Sequence, residues 1–422
     1  SPLLRKDFQV EKEVKSSRAY VYRLGWYELH LNGEKVGDRV LTPANTAYAQ
    51  RNLYDTYDVT EYLNNGENAV GLWLGNGYNE NYSQWGWRWE NSKRAIVQLN
   101  IEFTDGSRTN VVTDGSWRTT SESPIVYNDM YNGETYDARM ELTGWAEPGY
   151  DDSDWEPVVI EAAPSDTLRS NMMPPIKVVD TIQPVKMTEP QPGVYVFDMG
   201  QVISGWTRLH VEGEAGQQVQ LRHSVNIDED GNIDPWTNRL ARATDTYILK
   251  GGGTEVYEPR FTYHGFRYVE VTGYPGTPTL DSVAGRVVHA DVSPIGGFQT
   301  SNALLNQIQS NISWSLRTNL MSIPTDTPVR DERTPPAMDV LSSHDAAIHN
   351  FQMNQFYEKY TADTRGQRGN PDMHGQQVVG PWMLYQFYGN IRVLEQNYPN
   401  MKGYVGQPAC EPSPSYRPRW IR

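Results

Sequence analysis

The sequence predicts a multidomain β + α protein, in which two strand series of sandwich type precede a helical region. Three observations carry this. Short runs alternating apolar and polar residues, separated by Gly, Asn and Asp turns, recur as far as residue 292. From Ser301 onwards the apolar spacing changes to four. Composition agrees: 35 Gly and 27 Pro supply turns, while 13 Trp, 26 Tyr and 9 Phe add large burial surfaces to a chain of 38% apolar content. With 422 residues, roughly two to four domains are expected.

The first strand series opens at residues 19–31, which alternate and run into Asn32-Gly33, the strongest short hairpin signal. Val36 and Val40 continue the return strand. Runs at 69–74, 95–103 and 109–113 follow, the last two joined by Asp105-Gly106. The first sandwich is placed at residues 1–160. Residues 161–182 are aperiodic and contain Pro and Met, so they read as a linker. A second sandwich is expected over 183–292, from runs at 194–197, 207–211, 218–222, 246–249 and 267–271 with turns at Asp230-Gly231 and Gly251–Gly253. Then Ser301-Asn302 offers an N-cap, and Leu304, Ile308, Ile312, Leu316 and Leu320 line one helix face. Residues ~340–362 and ~380–397 also have helical spacing. Residues 406–422 form an irregular Pro-rich tail.

Charge and motifs remove several function classes. A net charge of −15 argues against nucleic acid, whose phosphates require a basic face. No apolar run approaches the ~20 residues of a membrane span. Cys410 is the only cysteine, so no internal disulfide forms. The amino terminus has no signal-like apolar stretch, and the compartment stays open. The eight His show no zinc-ligand spacing, and neither a Gly-x-Ser-x-Gly nor a phosphate-binding loop occurs. His264 reads as structural, His344 and His349 need not share a helix face, and His374 is a loop candidate for lining a pocket.

The chemistry-bearing stretch runs from Ile323 to Arg333. Asp326, Arg330, Asp331, Glu332 and Arg333 crowd together, while Pro324 and Pro328 prevent an ordinary helix. Such a loop is costly unless its charges are paired or used. A solvated ion-pair cluster is the plain reading, and a carbohydrate-cleaving site is the functional one.

Three separated segments resemble the bacterial α-L-rhamnosidases of glycoside hydrolase family 78. They are Tyr27-Glu-Leu-His-Leu-Asn-Gly-Glu-Lys-Val-Gly with Leu74-Gly-Asn-Gly-Tyr; Phe197-Asp-Met-Gly-Gln with Phe261-Thr-Tyr-His-Gly-Phe-Arg-Tyr-Val-Glu-Val; and Ile323-Pro-Thr-Asp…Arg330-Asp-Glu-Arg with Gly380-Pro-Trp-Met-Leu-Tyr. The resemblance implies two jelly-roll-like β-sandwiches, then an (α/α)6-barrel-type catalytic domain, here partial over 293–405. It implies inverting hydrolysis of terminal α-L-rhamnosyl residues from oligosaccharides or glycosides. Glu332 falls on the family's general acid, and Asp326, Arg330 and Asp339 fall on sugar-contacting positions. Where the family reads Leu-Gly-Trp-Thr-Gly-Asp after the acid's Arg, this chain has Thr334-Pro-Pro-Ala-Met-Asp339, with Pro336 at the aromatic position. The family's general base, a Glu, lies far downstream in a part of the barrel not represented here. An incomplete toroid should leave apolar helix faces uncovered.

The first sandwich also resembles carbohydrate-binding module family 67, which implies a calcium ion bridging protein oxygens to rhamnose. Asn79, Glu80 and Asn128 are the ligand candidates, the alternative being ordinary Asx turns. Trp85, Trp87 and Trp89 share one strand face, as a sugar platform or as core. No cofactor is needed for the hydrolysis itself. The expected partner is a rhamnose-containing carbohydrate; an oligomer stays open. Two further readings stand beside the enzyme: a non-catalytic rhamnose-binding protein, and a scaffold whose acidic loop is structural.

Overall fold

The computed structural model describes residues 1–78, 93–163, 165, 167–334, 337–367 and 369–406. The chain divides into two compact units. One comprises Ser1–Asp291 with Ser310–Thr334; the other comprises Val292–Gln309 with the described residues from 337 onwards.

Three large sheets build the first unit. A six-stranded sheet has Leu3–Val10 and Gly66–Gly75 at its centre, and a five-stranded sheet has Val14–Arg23 and Ala95–Phe103 at its centre. Their alternating residues meet in one apolar core that includes Val21, Leu29, Leu72, Val97, Leu99 and Trp117. The Asn32-Gly33 hairpin forms as predicted: Leu31 opposes Glu34, and both turn residues have positive φ.

The third sheet departs from the expected boundaries. It has ten strands, in place of a second pair of separate sheets. Its axis is the 19-residue strand Val194–Glu212, which pairs with His264–Thr272 along its first part and with Val283–Ala290 after Gly205. A Cβ on Gly205 would lie 1.9 Å from the Arg286 carbonyl, so only glycine fits here, where the strand pairs with both neighbours, opposite His264 and Val287. Two further strands, Ile125–Asp129 and Gly133–Asp137, come from the region assigned to the first sandwich; the latter pairs parallel with Thr244–Ile248. The presumed linker contributes Ile176–Ile182 to the sheet edge, and Leu168–Ser170 pairs with Asn52–Asp58. A bulge between Val178 and Asp180 breaks the alternation of the edge strand, which is why 161–182 looked aperiodic.

Helices α1 (Ala303–Arg317), α2 (Ala337–Asn350), α3 (Asn354–Asp363), α4 (Pro371–His374), α5 (Gln376–Tyr388) and α6 (Ile391–Val405) follow. Asn302 caps α1, its Oδ1 accepting from Leu304 N at 2.9 Å. The helix expected over ~380–397 is two: Gly389 ends α5 in the left-handed conformation, and Asn390 caps α6. Likewise ~340–362 is divided between α2 and α3. Among the described residues no helix is long and apolar enough to cross a membrane. Leu304, Leu305, Ile308 and Ile312 of α1 are exposed, Leu304 by 67%, as are Trp382, Tyr385 and Phe387 of α5. Apolar helix faces are thus uncovered among the described residues.

Candidate functional site

The acidic loop is docked onto the ten-stranded sheet. Gly265, in strand His264–Thr272, has no side chain where Pro328 packs, and a Cβ there would meet Pro328 atoms at 2.7 to 2.9 Å. Asp326 and Thr334 close the loop reciprocally: Asp326 N donates to Thr334 O and Thr334 N to Asp326 Oδ1, both at 3.1 Å. Between them Arg333 is wholly buried, with a left-handed φ of 48°. Its guanidinium donates to the carbonyls of Met130 (2.6 Å), Tyr263 (2.5 Å), Arg330 (3.2 Å) and Val329 (3.3 Å). It also lies over the Tyr131 and Tyr263 rings, 5.1 and 4.6 Å from their centroids. These contacts replace water around a buried cation and hold the preceding residue in place.

That residue is Glu332. Tyr131 donates its hydroxyl to the Glu332 carbonyl at 2.9 Å, and the Glu332 side chain is 22% exposed. Its Oε2 receives Arg330 Nε at 2.6 Å and Arg239 Nη1 at 3.1 Å. The other side of the Arg330 guanidinium donates to Asp326 Oδ2 at 3.1 Å. Burial, and then the neighbouring Glu332 charge, push the Asp326 carboxyl up to about 6. The structure therefore joins Asp326, Arg330 and Glu332 in one charge cluster, one of whose carboxyls can carry a proton near neutral pH. Asp331 is buried within the same loop. Asp339 lies in the first turn of α2, in the second unit, with an exposed side chain.

Sequence reasoning missed Arg239, Tyr131 and Tyr263 as parts of this site. Tyr131 lies three residues beyond Asn128, and its sequence context carries no mark of a link to residue 332. Tyr263 stood inside a family segment that was quoted without a role for it. Nothing in the sequence around Arg239 links it to residue 332.

Of the calcium candidates, Asn79 and Glu80 lie outside the described residues, as do Trp85, Trp87, Trp89 and Pro336. Asn128 acts as a clamp. Its Oδ1 accepts from Asn76 N at 2.7 Å, its Nδ2 donates to Ser1 Oγ at 2.8 Å, and its carbonyl accepts from Asn76 Nδ2 at 2.9 Å. Among the described residues, nothing donates to the buried Asn76 Oδ1 beside it. Of the three candidates only Asn128 is described, and its side-chain oxygen is taken up by Asn76 N.

His223, Asp245 and His264 offer three ligand atoms within 4.8 Å of one another, all buried. His223 is already engaged by Thr207 Oγ1 and the Ala243 carbonyl, both at 3.0 Å, and burial lowers it to about 3. His264 Nε2 faces Asp245 at 3.1 Å, and the two imidazoles stack at 4.4 Å. Stacked rings direct their lone pairs side by side, so the group reads as core, in keeping with the structural role expected of His264. In the second unit, His344 is buried with Nδ1 3.2 Å from Gln376 Oε1, and His374 sits at the end of α4.

The α-L-rhamnosidase N-terminal domain matches residues 12–180, the bacterial α-L-rhamnosidase concanavalin-like domain residues 188–289, and the bacterial α-L-rhamnosidase six-hairpin glycosidase domain residues 293–410. An α-L-rhamnosidase of Streptomyces avermitilis is 39% identical over 95% of this chain and 41% of its own length. One from Formosa agariphila is 33% identical over 94% of the chain and 46% of its own length. Among solved structures, the Dictyoglumus thermophilum α-L-rhamnosidase superposes with a TM-score of 0.91 at 44% identity, covering 96% of this chain and 47% of the other. The S. avermitilis enzyme complexed with L-rhamnose superposes with a TM-score of 0.93 at 38% identity, over 96% of this chain and 41% of the other. The chain thus spans less than half the length of these relatives. With all three family domains in order along one sequence, the chain belongs to the bacterial α-L-rhamnosidase family.

Proposed function

We propose that this chain carries the acid half of an inverting α-L-rhamnosidase, which releases terminal α-L-rhamnose from oligosaccharides or glycosides. The observation that supports it most is the placement of Glu332: a partly exposed carboxyl on a loop fixed at both ends, in a cluster with Asp326 and Arg330. Glu332 acts as general acid towards the glycosidic oxygen. A second carboxylate, supplied by the family's downstream Glu, deprotonates water on the opposite ring face, about 6.5–9.5 Å away. Asp326, Arg330 and Asp339 take rhamnose hydroxyls. Helices α1 to α6 form the start of an (α/α)6 toroid, a reading supported by their exposed apolar faces. The rhamnose complex of the S. avermitilis relative supports the choice of sugar.

The test is hydrolysis of an aryl α-L-rhamnoside by the parent and by Glu332→Gln. The variant should lose about 10²- to 10⁴-fold in kcat while melting at the parent's temperature. Proton NMR of the first turnovers should show the β-anomer of rhamnose. Equal release by the variant removes Glu332 from the role. Saturable rhamnose binding without any release by the parent favours a binding protein instead.

A further inference from the structure

Glu332 is held unsymmetrically. Both guanidinium contacts, from Arg330 and Arg239, converge on Oε2. Among the described residues, Oε1 accepts no hydrogen bond. Arg330 belongs to the acidic loop itself, but Arg239 comes from the ten-stranded sheet's own connection between the short helical turn Trp236–Asn238 and strand Thr244–Ile248.

The conformation of that connection is unusual. Arg239 has φ 53° and ψ −114°, a region that residues with a side chain rarely occupy. Both flanks are anchored. Asn238 is buried and donates to the His223 carbonyl at 2.9 Å; Ala243 N donates to the Tyr131 carbonyl at 3.0 Å, and Arg242 N to Asn132 Oδ1 at 3.2 Å. Between them Arg239 and Leu240 face solvent, Leu240 by 73%. A half-exposed ion pair adds little to stability, so stability does not explain why strain is retained at this position. Strained residues that persist on anchored loops cluster where geometry serves a site.

Building on the rhamnosidase reading, we infer that Arg239 is a positioning residue for Glu332: with Arg330 it fixes Oε2 as the unprotonated, hydrogen-bond-accepting oxygen and leaves Oε1 as the oxygen that carries the transferable proton. In the step, the Oε1–H bond breaks and its proton goes to the glycosidic oxygen. The bond from the anomeric carbon to that oxygen breaks, and its electron pair stays on the leaving oxygen. Water adds to the opposite ring face and gives its proton to the base. Nothing is oxidised or reduced. The carboxylate left on Glu332 is met at once by two guanidiniums, an arrangement that needs no reorganisation as charge develops.

The test exploits leaving-group chemistry. Methyl α-L-rhamnoside requires protonation as it departs, whereas 2,4-dinitrophenyl α-L-rhamnoside does not. Both are assayed with the full-length polypeptide, as parent, Arg239→Gly and Arg239→Lys. Arg239→Gly relieves the backbone and should melt no lower than the parent. It should lose about 10- to 100-fold in kcat on the methyl glycoside, yet less than about threefold on the dinitrophenyl glycoside, with KM little changed. Arg239→Lys should recover part of the loss. Equal losses on both substrates, or no loss on either, overturn the inference while leaving Glu332 as the acid. A parent inactive on both overturns the hydrolase reading and this inference with it.

Discussion

Asp326 carries a pH dependence that follows from its surroundings. Its carboxyl is raised from 3.8 to about 6 by burial and by Glu332. A raised carboxyl binds its proton more tightly in the folded chain than in the unfolded one. Its contribution to stability is therefore complete below about pH 4 and lost as pH rises through about 6. Asp326→Asn removes the charge and keeps an acceptor for Thr334 N. Relative to the parent, this variant should gain stability between pH 4 and pH 7, because it acquires no buried charge as pH rises. Urea midpoints at the two pH values check the sign; a variant that loses ground over that interval contradicts it. At this scale the sequence was partly legible. The crowding of Asp326, Arg330 and Glu332 marked a cluster, and the structure joins the three. The supports from Tyr131, Tyr263 and Arg239 were not legible, because they arrive across 201, 70 and 93 residues of chain respectively. Local spacing carries no information about such distant partners.

Among the elements, strand His264–Thr272 decides where the acidic loop rests. Gly265→Ala should push a methyl into Pro328, whose backbone carbon and ring both lie under 3 Å from the added atom. Overpacking of this kind costs about 1–3 kcal/mol. A fall in the unfolding midpoint, with a larger loss of rhamnoside hydrolysis than of stability, is the expected result; a neutral variant would mean that the loop does not bear on the strand. Elements with local signals were read well. Asn32-Gly33 demanded positive φ at both turn positions and has it, and Asn302 caps α1. Elements defined by an interruption were read less well. The bulge at Val178–Asp180 hid an edge strand, and Gly389 split a helix that spacing alone joined to its neighbour.

For the whole molecule, the exposed apolar residues of α1 are the clearest departure from what periodicity suggests. A four-residue apolar spacing normally marks a buried face. Here Leu304 and Ile308 meet solvent. Replacing both with Ser should change stability by no more than about 0.5 kcal/mol per site, and should reduce binding of an apolar fluorescent dye. A large drop in melting temperature would mean that this face is covered. The order of strands was the other feature hidden from sequence. Pairing of Gly133–Asp137 with Thr244–Ile248 is parallel and distant, and its register leaves no trace in either segment alone.

This pairing bears on any attempt at modular dissection. A cut near residue 160, where composition invites one, would strip two strands from the ten-stranded sheet together with the Met130 carbonyl and the Tyr131 hydroxyl. The downstream piece would keep Glu332 in its covalent sequence yet forfeit the scaffolding that aims it. The apparently accessory front portion is thus an inseparable part of the foundation under Glu332, and gene fusions that exchange it wholesale would have to graft those two strands as well.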